Sequence, residues 1–226
     1  RSEEHEYFAD GLSEELLNVL ARIRGLRVTS RTSAFSFKGK DIDIPTIAAK
    51  LGVGHVVEGS VRTAGKRVRV VAQLVDVAAD AHLWSETYDR ELDDIFAGQD
   101  DIAQSVVSEL RSHLLGRPAD EKASATVAAE VQEATKGRSE NAEAFRLYLR
   151  GQYLRLHLNR ESAALAVACY EEALKLDPGF ALAWAGLARA VSDQIGQSFV
   201  PREEGYAKAT AAARRAIDLE PDLPEG

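Results

Sequence analysis

The stretch Tyr170–Ala188, YEEALKLDPGFALAWAGLA, decides how the second half of this chain is read. Ala173, Leu174 and Leu176 close one apolar helical stripe, Asp177-Pro178-Gly179 interrupts it, and Phe180, Trp184 and Leu187 start another. Proline fixes φ and lacks an N–H, so it ends one helix and suits the first turn of the next. The stretch is therefore a helix–break–helix joint.

Apolar periodicity predicts helices over Ala142–Leu158, Glu161–Leu176, Ala181–Ile195 and Glu203–Leu219. They fall into two pairs with matching ends, Ala173-Leu174-Lys175-Leu176-Asp177-Pro178 and Ala216-Ile217-Asp218-Leu219-Glu220-Pro221. Tyr and Ala before the proline, and Trp-x-x-Leu-Ala after it, resemble the tetratricopeptide (TPR) repeat. Pro178 and Pro221 stand 43 positions apart, against a standard period of about 34. The surplus falls in Gly196–Arg202, where Phe199 and Val200 make an apolar loop suited to a partner. The chain stops at Gly226, where a third repeat would begin, so the array is expected to continue.

The first half alternates helix and strand signals. Phe8–Arg24 reads as an amphipathic helix with Phe8, Leu12, Leu16, Val19, Leu20 and Ile23 on one face. Leu26–Ser30 is short and partly β-branched and reads as a strand; Phe35 and Phe37 share a face if their segment is extended. Pro45–Leu51 makes a short helix between Asp43 and Gly52. His55–Thr63, Lys66–Val77 and His82–Tyr88 then form an antiparallel meander, with Val68, Val70, Ala72 and Leu74 on a buried face. A helix from Leu92 to about Leu115 carries Ile102, Val106, Leu110 and Leu114, and Ala119–Lys136 reads as a connecting helix.

Composition sets outer bounds. The 226 residues are 45% hydrophobic and 28% charged, which is ordinary globular usage. A net charge of −8 argues against a nucleic-acid partner, despite local basic clusters at Arg22, Arg24, Arg27 and Arg31 and at Arg62, Lys66, Arg67 and Arg69. The single cysteine, Cys169, sits in a helical apolar pattern and reads as a small core residue. No apolar run reaches the roughly 18 residues of a membrane span, so no membrane insertion is expected of these residues. A start at Arg1 and the lack of methionine read as a piece of a longer protein.

Chemistry-bearing patterns are sparse. Gly52-Val53-Gly54 lacks the third glycine of a dinucleotide loop and follows a helix instead of opening one. His5, His55, His82, His113 and His157 show no metal-site spacing. Glu91, Asp93, Asp94, Asp100 and Asp101 suit the start of a helix through its dipole, and Ser33, Ser36 and Lys38 read as turn residues. No catalytic, cofactor-binding or metal set is assigned, and the chain is not expected to be an enzyme. The candidate site is instead the inner face of the helix pairs. Tyr148, Gln152 and Arg155 from the first pair, with Arg189 and Asp193 beside Ala185 from the second, could grip an extended peptide or an acidic terminus. An unoccupied solvated face fits the same residues.

Four blocks, Phe8-Ala9-Asp10-Gly11, Phe37-Lys38-Gly39-Lys40, Glu58-Gly59-Ser60-Val61 and Leu83-Trp84, resemble the TolB-like amino-terminal domain of bacterial signalling proteins. The resemblance covers about Tyr7–Leu115. It implies an α/β (α+β) domain with a small mixed sheet over 1–115, a linker over 116–141 and an all-α TPR solenoid over 142–226. It further implies a non-catalytic regulatory or sensory region of a class III adenylate/guanylate cyclase, with a protein or peptide partner and no cofactor. The alternatives are a structural adaptor in envelope or motility assembly, or the sensor half of a winged-helix regulator. The compartment would be the cytoplasm, or the periplasm if the parent carries an upstream membrane helix. The family's first apolar strand has no counterpart in Arg1–Glu6, so Leu26–Ser30 is expected to be an unpaired edge open to homodimer pairing.

Overall fold

The computed structural model describes residues 3–65, 67–91, 95–115, 121–157 and 159–223. It divides the chain differently from the expected boundaries. One compact unit is Ser13–Ala134, and the other joins Arg1–Leu12 to Thr135–Gly226. Helix α1, Glu3–Arg22, supplies residues to both.

In the first unit, α2 (Arg31–Phe35), α3 (Ile44–Leu51) and the strands β1 (His55–Ala64), β2 (Arg67–Asp76) and β3 (Ala81–Glu91) precede α4 (Ile95–Leu115) and α5 (Glu121–Ala134). The strands pair antiparallel in the order β1-β2-β3. Their register places Val61 opposite Val70, and Val70 opposite Tyr88. Side chains alternate across a strand, so Val68, Val70, Ala72 and Leu74 all point inward and are buried, as expected. The turn after β2 is held by Asp76, whose Oδ1 accepts from the N–H groups of Ala78 (2.9 Å) and Ala79 (3.2 Å). Helix α4 covers the sheet with Ile102, Ala103, Val106 and Val107, all buried. Tyr88 ties β3 to that helix, its hydroxyl 3.0 Å from Glu86 and 3.4 Å from Ser105. Burial pushes the Tyr88 phenol up to about 12.

The capping residues act as the sequence implies. Asp43 caps α3 through Thr46 N–H at 2.8 Å, and Gly52 ends it at φ 65°. That N–H lowers the Asp43 carboxyl below its ordinary value.

Leu26–Ser30 is the principal correction. It joins no ladder, and the sheet is antiparallel throughout the described strands, not mixed. A strand exists only through a partner's hydrogen bonds, and β1, β2 and β3 pair with one another. Ser30 instead caps α2, accepting from Ser33 N–H at 3.2 Å. Leu26–Ser30 therefore supplies no edge strand to this sheet. Phe35 and Phe37 are not an extended pair either, because Phe35 closes α2; Arg31 and Lys50 lie over their rings at 4.4 and 6.0 Å. The expected connecting helix is α5, which buries Val127, Val131 and Ala134 within this unit and accepts Arg22 at its last carbonyl (2.8 Å).

The second unit is helical. It contains α6 (Ala142–Arg155), α7 (Arg160–Leu176), α8 (Ala181–Gly196) and α9 (Arg202–Leu219), and each consecutive pair packs together. Asn141 and Asn159 cap α6 and α7 by accepting from Ala144 and Ser162. At the joint, Asp177 Oδ1 accepts from Gly179 N–H at 2.9 Å, and the Trp184 indole donates to the Pro178 carbonyl at 3.0 Å. Trp184 thus fastens the joint from a half-buried position, while Phe180 takes the core place at 0% exposure. Leu176 leaves the stripe of Ala173 and Leu174 and is 47% exposed, because it lies about 200° around the helix from Leu174. Cys169 is buried, and burial raises its thiol pKa, as suits a small core residue.

Tyr170 is the centre of this unit. Its ring lies between Gly151 of α6 and Gly186 of α8, where an added Cβ would stand 2.9 and 2.5 Å from ring atoms. Tyr148 and Phe180 pack at 5.1 Å, Tyr148 and Tyr170 at 6.0 Å. Gly11 of α1 sits equally close to Leu149, and Tyr7 faces Tyr153 at 6.3 Å.

Gly186→Ala is expected to destabilise this unit by about 1–3 kcal/mol through overpacking, outweighing the ~1 kcal/mol that alanine gains in a helix. Gly196→Ala, whose Cβ meets nothing within 4 Å, serves as the control. Thermal unfolding should show a lower midpoint for the first variant alone; equal midpoints would contradict this packing.

Candidate functional site

The face shared by α6 and α8 begins with helical spacing. Residues four apart lie one above the other, so Arg189 and Asp193 form one row on α8, and Arg155 ends the facing helix α6. Arg155 Nη1 donates to Asp193 Oδ2 at 2.9 Å across 38 residues of sequence. Both side chains keep partial exposure, 21% for Arg155 and 40% for Asp193. A pair so open to water contributes only up to about 1 kcal/mol, so its main effect is to fix where the two groups stand. The Arg189 Nε is buried and has no hydrogen-bond partner among the described residues. The structure therefore brings Arg155, Arg189 and Asp193 to one face.

Tyr148 and Gln152 are elsewhere, which corrects their reading as groove residues. Tyr148 is 1% and Gln152 5% exposed. Gln152 Nε2 donates to the Tyr148 hydroxyl at 2.8 Å, and Gln152 Oε1 accepts from Tyr170 at 3.2 Å. A buried amide and two phenols satisfy one another in the core. The other candidate locus, Phe199 and Val200, is half-buried. Arg160 lies 5.0 Å over the Phe199 ring and donates to the Phe199 carbonyl at 2.9 Å, which folds the loop onto the start of α7.

Across 224 residues, 99% of this chain, the sequence is 37% identical to a Rhizobium meliloti (strain 1021) protein named "Putative adenylate cyclase 3". The chain spans 36% of that protein's length. It is thus related to a protein named as an adenylate cyclase. No family model matches the chain. Among the described residues, no helix is long and apolar enough to cross a membrane.

One set of residues escaped the sequence. The five histidines show no metal spacing along the chain, yet the fold brings two of them together with a carboxylate. Candidate donor atoms of His55, Asp76 and His113 lie within 4.8 Å of one another. His113 Nε2 is 3.1 Å from Asp76 Oδ2. The two imidazoles meet edge-on with centroids 5.5 Å apart. Asp76 is held below the ordinary carboxylate value, first by the Ala79 N–H and further by both histidines. The cross-strand pairing of position 55 with 76 was the available signal, since β1 and β2 were both foreseen; the arrival of α4 was not.

Gln152→Ala tests the core placement. Loss of the acceptor strands a buried phenol, so unfolding free energy should fall by about 1–3 kcal/mol in urea titrations. An unchanged midpoint would return Gln152 to the surface.

Proposed function

We propose that this chain is the regulatory, non-catalytic region of a class III adenylate/guanylate cyclase, a TolB-like α+β unit followed by TPR hairpins that hold a protein or peptide partner. The observation that carries the reading is the 37% identity across 99% of the chain to a cyclase-named protein almost three times as long. The four TolB-like blocks and the matched ends of the two helix pairs support it. On this reading, the Arg155–Asp193 pair and the adjacent Arg189 form the partner-binding face. Arginine recognises carboxylates through paired N–H donors, so an acidic peptide segment or chain terminus is the partner chemistry that fits.

A TPR hairpin holds its partner by shape and charge and performs no reaction, so the cyclase chemistry would belong to other residues of the parent. The region would then alter how much cyclic nucleotide is made.

The test compares cyclic-nucleotide output in a bacterial host lacking its own adenylate cyclase. The full-length gene product is set against the same product carrying Arg155→Glu and Arg189→Glu together, and against this chain alone. The expected result is no output from the chain alone and an output at least about threefold altered by the double charge reversal at equal protein level, the change that a coupling of under 1 kcal/mol produces. Conversion of ATP or GTP by the isolated chain would overturn the reading.

A further inference from the structure

The β1–β2 hairpin and the last turn of α4 converge on His55, Asp76 and His113 in the first unit. We propose that these three residues form a binding site for a divalent transition-metal ion, with Zn²⁺ the best match.

The donor set selects the ion. Two imidazoles and one carboxylate suit zinc and its first-row neighbours, whereas magnesium and calcium take oxygen donors. Geometry agrees. His55 and Asp76 are register partners across the β1–β2 ladder, so the sheet itself sets their separation. A tetrahedral ion with bonds near 2.0–2.1 Å holds its donors about 3.3 Å apart. His113 and Asp76 already stand at 3.1 Å, and the whole set lies within 4.8 Å. Small side-chain rotations close the difference.

The carboxylate is preorganised. Its Oδ1 is occupied by the Ala78 and Ala79 N–H groups, which turns Oδ2 toward the histidines. Such outer hydrogen bonds orient metal ligands. His55 supplies a separate observation: its Nε2 is buried and has no hydrogen-bond partner among the described residues. A buried polar atom without a partner is costly and calls for one. A simple His113–Asp76 ion pair accounts for two members of the cluster and leaves that nitrogen unexplained; a metal ion accounts for all three. His113, with 41% of its side chain exposed, gives the ion a route in and leaves room for a water ligand. Bound there, the ion would link the sheet to α4.

The test uses untagged, chelator-treated protein, titrated with Zn²⁺ by calorimetry and with Co²⁺ by visible absorption. One ion per chain is expected, with a d–d absorption band for Co²⁺ and shifted imidazole NMR signals from two histidines. His55→Ala and His113→Ala should each weaken Zn²⁺ binding by more than about tenfold. His157→Ala, in the helical unit and outside the cluster, should leave it unchanged. Asp76→Asn retains the Oδ1 acceptor for the turn while removing the anion, and should also weaken binding. If His55→Ala does not fold, His113→Ala carries the test, because its side chain is the more exposed of the two. Absence of binding at about 100 µM Zn²⁺, or binding that both histidine variants leave intact, would overturn the proposal.

Discussion

The helical unit depends on one steric fit: the Tyr170 ring held between two glycines on different helices. A tyrosine ring needs flat space on both faces, and backbone can approach that closely only where no Cβ intervenes. Gly151 and Gly186 supply those two places, so α6 and α8 must both meet α7 at Tyr170. The hydroxyl then needs a partner in the dry interior, and Gln152 provides it while also donating to Tyr148. Apolar burial gives the packing its strength, and the hydrogen-bond chain gives it a single register.

That fit explains where the polar residues go. Once Gln152 and Tyr148 are drawn inward, Arg155 stands three positions further along α6 and reaches Asp193 on α8. The face proposed to bind a partner is therefore the edge of the core network, and its charges are positioned by the same two helices. The α+β unit uses a different logic. Its described sheet has three strands, and α4 supplies much of the cover through Ile102, Ala103, Val106 and Val107. The last turn of that helix brings His113 to the start of β1 and the end of β2.

Much of this was legible in the amino-acid order, for identifiable reasons. Helices α3 and α6 to α9 carry their own periodicity and their own stops at Gly52, Pro178 and Pro221, all of which act within a few residues. The β1–β2–β3 meander was equally local. What failed depended on distant partners. Leu26–Ser30 has strand composition, but a strand without a ladder is only an extended segment. On α6, Phe145/Leu149/Tyr153 and Leu147/Gly151/Leu154 are both plausible stripes. The structure centres the buried face on Phe145, Tyr148, Leu149 and Gln152, and no propensity announces that Gly151 must admit a ring from α7. The division at 12 was hidden for a related reason, since an unbroken helix gives no signal where its packing partner changes.

Amide hydrogen exchange on Tyr170→Ala tests most directly whether one ring unites these helices. Protection should fall in α6, α7 and α8 together, while Leu165→Ala, at an exposed position of the same helix, should leave all three protected. Loss confined to α7, with α6 and α8 still protected as in the native chain, would contradict the central place given to Tyr170.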